Sequence, residues 1–107
     1  MLEAGEITQA EAVLTELLDA QPDFTEAWNR RAVLYFTIKE YKKSLADCQM
    51  VIKLNPIHFG ALHGMGLCHA ALGEYSAAIR AFQLALELQP YSLENQRLIL
   101  ECTAQLS

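Results

Sequence analysis

Glycine and proline are scarce in this 107-residue chain, at five and three copies, and tryptophan occurs once. So few breakers favour helices over a loop-rich or sheet-rich fold. Positive charge is also thin: eight Lys and Arg stand against thirteen Asp and Glu, for a formal charge of −5. Nucleic-acid binding needs clustered cations along the phosphate backbone, so that class is not expected. No apolar run approaches the ~18–20 residues that cross a bilayer, so no membrane insertion is expected. The opening MLEAGEITQAE is acidic and lacks the basic-then-apolar layout of a secretory signal. Cys48, Cys68 and Cys102 are odd in number and widely spaced. That argues against a disulfide framework and for an intracellular, reducing compartment: cytoplasm, nucleus or organelle matrix.

Enzyme motifs are missing too. The chain has no Gly-rich phosphate loop, since Gly60, Gly64 and Gly66 fall inside a helical period, and no CxxC, HExxH or GxSxG. Its carboxylates, such as Glu11, Glu16, Glu87 and Glu101, fall on polar helix faces. No catalytic residue, cofactor or metal is expected. What the chain does contain is 52% apolar residues, led by 17 Leu and 15 Ala, enough for one small folded domain.

The chain also repeats. Pro22, Pro56 and Pro90 are spaced 34 residues apart, each closing a similar segment: LLDAQP, VIKLNP, LELQP. In that register Trp28 superposes on Leu62, Ala32 on Gly66, Tyr41 on Tyr75, Ser44 on Ala78 and Ile52 on Leu86. Apolar spacing within each period predicts two helices. Ala27, Trp28, Ala32, Tyr35 and Phe36 mark one over about 25–38, with Asp23 and Glu26 as a capping box. Leu45, Cys48, Val51 and Ile52 mark a second over about 42–54, stopped by Pro56. The next period gives 59–72 and 76–88, with Gly73 in the left-handed turn between them. A last helix is expected over 93–106, with Ser92 as N-cap.

Residues 6–20 align with the second helix of a period. Their would-be partner is absent or reduced to Met1–Ala4. The expected result is an exposed apolar flank of Val13, Leu14, Leu17 and Leu18. The chain is then either a piece of a longer protein or covers that flank by self-association.

Period, helix pairing and proline together resemble the tetratricopeptide repeat (TPR) family. Residues 59–92 match its pattern through Leu62, Met65, Gly66, Ala78, Phe82, Ala85 and Pro90, with His69 in place of the usual Tyr. Residues 25–58 match through Trp28, Ala32, Tyr35 and Pro56, and depart at Arg31, Ser44, Cys48 and Val51. The resemblance implies an all-α fold, a right-handed superhelix of antiparallel helix pairs. It divides the domain 1–107 into a partial repeat (1–24, second helix only), repeats at 25–58 and 59–92, and a C-terminal capping helix at 93–107. Small residues at Ala32, Gly66, Ser44 and Ala78 let backbones approach, while Trp28, Leu62 and Phe82 fill the gaps.

Arg31 is anomalous, because the family's pattern puts Leu there and an unpaired buried guanidinium is costly. Two readings fit: an ion pair with Asp47, with Ser44 and Cys48 leaving room, or a stem along the apolar surface with its charge in water. His58, His63, Cys68 and His69 raise the question of a metal. His63 lies five residues from Cys68 and six from His69, which does not match the i, i+4 spacing that converges on one ion, so structural roles are expected.

The resemblance also implies a concave groove lined by first helices. Here those positions are Asn29, Arg30, Val33, Phe36 and Thr37, then Gly60, His63, Gly64, Leu67 and Ala71, then Arg97, with Glu26, Ala70, Glu94 and Glu101 nearby. The mid-helix glycines either let a peptide approach the backbone or permit tight helix packing. One TPR subfamily grips the acidic tails of heat-shock chaperones with a Lys, Asn and Arg clamp. The matching places hold Asn29, Val33, Gly64, Glu94 and Leu98, without the lysines, so that specificity is not expected. The function expected is a non-catalytic scaffold that binds a peptide or helix of a partner protein in the groove. The alternative is self-association through the N-terminal edge and the last helix.

Overall fold

A computed structural model describes residues 3–107 as six helices. They are α1 (Ala4–Ala20), α2 (Thr25–Thr37), α3 (Tyr41–Leu54), α4 (Phe59–Ala71), α5 (Tyr75–Leu88) and α6 (Leu93–Gln105), with no strand among the described residues. Each helix packs on the next, and α2 also touches α4. The result is an elongated all-α solenoid of 42 × 27 × 20 Å. Helix bounds agree with the apolar spacing to within two residues. The proposed remnant Met1–Ala4 falls partly outside the described residues, and Ala4 itself already opens α1.

The 34-residue period is visible in the backbone hydrogen bonds. Before α2, α4 and α6 the chain makes the same proline turn. Gln21, Asn55 and Gln89 donate to Leu17, Val51 and Ala85, and Phe24, His58 and Ser92 donate back to Gln21, Asn55 and Gln89. The tighter turns recur as well. Lys39 (φ 64°) and Gly73 (φ 77°) both sit in the left-handed region. There they let Glu40 and Glu74 donate to Tyr35 O and His69 O, each at 2.8 Å.

Capping differs from expectation at one end. The N-cap of α2 is Phe24 and no side chain caps it, so Asp23 and Glu26 do not form a capping box; Glu26 instead pairs with Arg30 at 3.1 Å, one helical turn on. Ser92 caps α6, accepting from Asn95 N–H, and His58 Nδ1 caps α4 by accepting from Ala61 N–H at 3.0 Å.

The core lies where small and large residues interlock. A Cβ on Gly66 would sit 2.3 Å from Phe82, so the glycine is required by that ring. Phe82, Ala78 and Cys102 form one buried cluster, with Leu67, Ala70, Leu98 and Ile99 against it. Of the expected apolar flank, Val13 and Leu17 are exposed and Leu14 is half-buried, but Leu18 is buried. It lies on the side of α1 that meets α2 directly, where Glu11 and Thr15 bond Tyr35 and Arg31.

Candidate functional site: the crevice between the first helices

Arg31 sets the spacing of the helices beside the site. Its Nε and Nη2 donate to both Asp47 oxygens at 2.8 Å, and Nη1 donates to Thr15 on α1 at 3.1 Å. The guanidinium also lies over the rings of Trp28 (5.0 Å) and Tyr35 (5.6 Å). The hydrogen bond to Asp47 raises the Arg31 pKa against the opposing effect of burial. Of the two readings of Arg31, the structure therefore has the ion pair. Burial, then the bond its hydroxyl donates to Glu11 (2.9 Å), raises the Tyr35 pKa. One cation thus ties α1, α2 and α3 together.

Above that layer a crevice of about 250 Å³ opens between α2 and α4. Asn29, Val33, Phe36 and Thr37 form one wall and Gly60, His63, Gly64 and Leu67 the other, over a floor of Ala32, Ser44 and Cys48. Eight groove candidates therefore meet in one place. The wall on α4 is low because two of its four residues are glycines. A Cβ on Gly64 would reach Cys48 Sγ at 3.2 Å, whereas Gly66 on the opposite side of α4 serves packing alone.

Electrostatics in the crevice are mild. His63 Nδ1 lies 2.8 Å from Asn95 Oδ1 and its Nε2 is 3.5 Å from Glu94, so the ring is fastened to α6. It also stacks on Phe59, with centroids 6.1 Å apart. Contact with Cys68, together with burial, pushes the Cys48 thiol far above its ordinary range. Ser44 at the floor donates to Ala32 O at 2.7 Å and accepts from Cys68 at 3.3 Å. The arrangement offers apolar surface and a few hydrogen-bonding groups.

Three groove candidates lie elsewhere. Ala71 and Arg97 do not line this crevice, and Arg97 approaches Glu101 at 3.8 Å on the exposed face of α6. Arg30 lines a second cleft of about 950 Å³, bounded by Glu6, Gln9, Ala10, Val13 and Leu14 of α1 and by Glu26, Val33, Leu34 and Thr37 of α2. The α1 side of this cleft holds Val13 and Leu14 of the expected apolar flank, which the expected groove positions did not include. The 34-residue shift was the signal that contained it, because Ala10 and Leu14 correspond to Ser44 and Cys48.

Trp28 anchors the first proline turn by donating to Pro22 O at 2.7 Å, and Gln96, two periods later, does the same to Pro90 O at 3.1 Å. Pro56 and Pro90 themselves are exposed. His58 caps a helix, and His69 Nδ1 lies 2.8 Å from Glu74. Among the described residues no group of three His, Cys, Asp or Glu side chains is placed to hold a metal.

The sequence model of the tetratricopeptide repeat matches residues 25–58 and 60–92. A TPR repeat-containing protein of Rhizobium etli is 38% identical over 77 residues, covering 72% of this chain and 38% of that protein. Tetratricopeptide repeat protein 37 of Xenopus laevis is 28% identical over 94 residues, covering 86% of this chain and 6% of that protein. The chain therefore spans well under half the length of these two relatives. Among solved structures, the first TPR of Spaghetti (RPAP3), bound to the HSP90 peptide SRMEEVD, superposes with a TM-score of 0.89. It is 25% identical, and the match covers 95% of this chain and 81% of that one.

Proposed function

The chain belongs to the tetratricopeptide repeat family, and from that premise we propose that it is a non-catalytic protein-interaction module. The occupant is a peptide or helix of another protein, held in the crevice between α2 and α4. One observation carries this reading: a crevice of about 250 Å³ with an apolar floor, an exposed Val33 and an α4 wall kept low by Gly60 and Gly64. Apolar anchors of the partner occupy the floor, and Asn29 and His63 set its register. The segment contributes one partial repeat at 1–24, two repeats at 25–58 and 59–92, and a closing helix at 93–107. The three free thiols suit a reducing, intracellular compartment. Among the described residues, no helix is long and apolar enough to cross a membrane.

The related RPAP3 domain holds an acidic peptide. Here Asn29, Val33, Gly64, Glu94 and Leu98 stand at the clamp places, and none is a lysine. A ligand without a dense acidic tail is therefore the better fit to a chain of charge −5. A capture experiment tests the reading, comparing wild type with Gly64→Arg, which fills the crevice, at matched helicity by circular dichroism. The variant is expected to lose the specific partner. Retention of that partner at full strength would refute the site.

Self-association is a second reading, favoured by exposed Val13 and Leu17 at one end and Leu93, Leu100 and Leu106 at the other.

A further inference from the structure

The larger cleft is the crevice repeated one period earlier, with no helix on its outer side among the described residues. Shifting Ser44, Cys48, Gly60, Gly64 and Leu67 by 34 residues gives Ala10, Leu14, Glu26, Arg30 and Val33, and all five line the larger cleft. The remaining lining of the crevice is His63 of α4 together with Asn29, Ala32, Val33, Phe36 and Thr37 of α2. Those have no counterpart in the larger cleft, which accordingly opens from about 250 to about 950 Å³. The cleft is shaped for one more helix of the α2 and α4 type, parallel to α2 because alternate helices of an up-down array point the same way.

A helix of that type lies exposed at the other end of the same chain. The residues of α6 equivalent to Asn29, Ala32, Val33 and Phe36 are Arg97, Leu100, Glu101 and Ala104, and all four face solvent, Leu100 at 71%. We infer that a second copy of this chain seats its α6 in the α1/α2 cleft, so that α6 of one protomer and α1 of the next complete a helix pair. This rests on the self-association reading and deepens it by giving the register and polarity in which its two faces meet.

Two features argue for a second copy. Leu100 and Ala104 would cover Ala10, Val13 and Leu14, removing apolar surface at both ends of the molecule at once. Charge also matches. Asn29 and Val33 line the crevice opposite Gly60 and Gly64, so a helix seated in the same parallel register would bring Arg97 and Glu101 alongside Glu26 and Arg30. Each helix carries its pair in the order opposite to the other: Glu26–Arg30 at 3.1 Å on α2, Arg97–Glu101 at 3.8 Å on α6. Side by side they make a four-charge network of alternating sign. Such a contact joins unlike faces, so it propagates head to tail rather than closing as a symmetric dimer.

Sedimentation analysis of the full chain over a broad concentration series tests this. Wild type is expected to grow past twice its 12.0 kDa mass as concentration rises. Val13→Glu spoils the cleft and Leu100→Glu spoils the inserted helix; both positions are exposed, so each variant is expected to fold and remain monomeric. Mixed together, they retain one working cleft and one working helix and should form a dimer that grows no further. Reversing Arg97 and Glu101 together should weaken association about tenfold, as expected when two rim ion pairs become like-charge contacts, and reversing Glu26 and Arg30 as well should restore it. Wild type that stops at a dimer, single variants that still associate, or a mixture that stays monomeric would overturn the head-to-tail contact. A wild type that is monomeric throughout would overturn both the contact and the self-association reading. Gly64→Arg should leave assembly intact, which separates this result from the fate of peptide binding.

Discussion

Arg31 holds the first three helices in place, and its removal has a definite expected result. Arg31→Leu leaves the Asp47 carboxylate, 4% exposed, without its partner. A loss of about 3 kcal/mol is expected, read as a lower denaturation midpoint. Arg31→Leu combined with Asp47→Leu should recover most of it, since two apolar groups leave no stranded charge. Lys39 offers the opposite case. At φ 64° a side chain is strained, and the equivalent residue one period on is Gly73. Lys39→Gly should raise stability by about 1 kcal/mol, seen as a higher melting temperature. The Arg31 pair was legible as one of two readings, because a cation stood where the repeat wants Leu and an acid stood on the facing helix; a stem reaching water fitted the sequence as well. The cap of α2 was not legible: Asp23 has the right chemistry, but the proline turn makes Phe24 the N-cap.

Helices were legible nearly to the residue, because prolines and small residues recur every 34 positions and leave little freedom in where a helix ends. The glycines show what spacing alone leaves open. Gly66 and Gly64 are two residues apart on α4 and face different neighbours. Gly66→Ala drives a methyl into Phe82, and a loss of about 1–3 kcal/mol is expected although alanine favours helix. Gly64→Ala meets only Cys48 Sγ, at 3.2 Å, so a change of about 1 kcal/mol or less is expected. Urea unfolding of the two variants side by side checks the ranking. Packing therefore explains Gly66, whereas Gly60 and Gly64 line the crevice proposed as the binding site. Leu18 eluded the sequence reading because a lone amphipathic helix does not reveal which of its apolar flanks meets the neighbour.

At the scale of the whole molecule, six short helices of modest individual stability become a solenoid by stacking in register. The eight candidates that meet in the crevice were legible because each wall is one face of one helix. The α1 side of the larger cleft was legible only in part: Val13 and Leu14 stood out as an apolar flank, while Glu6, Gln9 and Ala10 carry no apolar signal strong enough to mark a cleft. Arg97 was placed in the groove by register, yet α6 presents it outward, on the face assigned above to another protomer. The central claim, that the crevice between α2 and α4 grips another polypeptide, is tested most directly by site-specific photocrosslinking to the captured partner. A benzoylphenylalanine replaces Phe36 in the crevice or, as control, the exposed Leu84 on α5. Crosslinks to the partner from position 36 and none from position 84 are expected; strong crosslinks from position 84, with position 36 silent, would contradict the account.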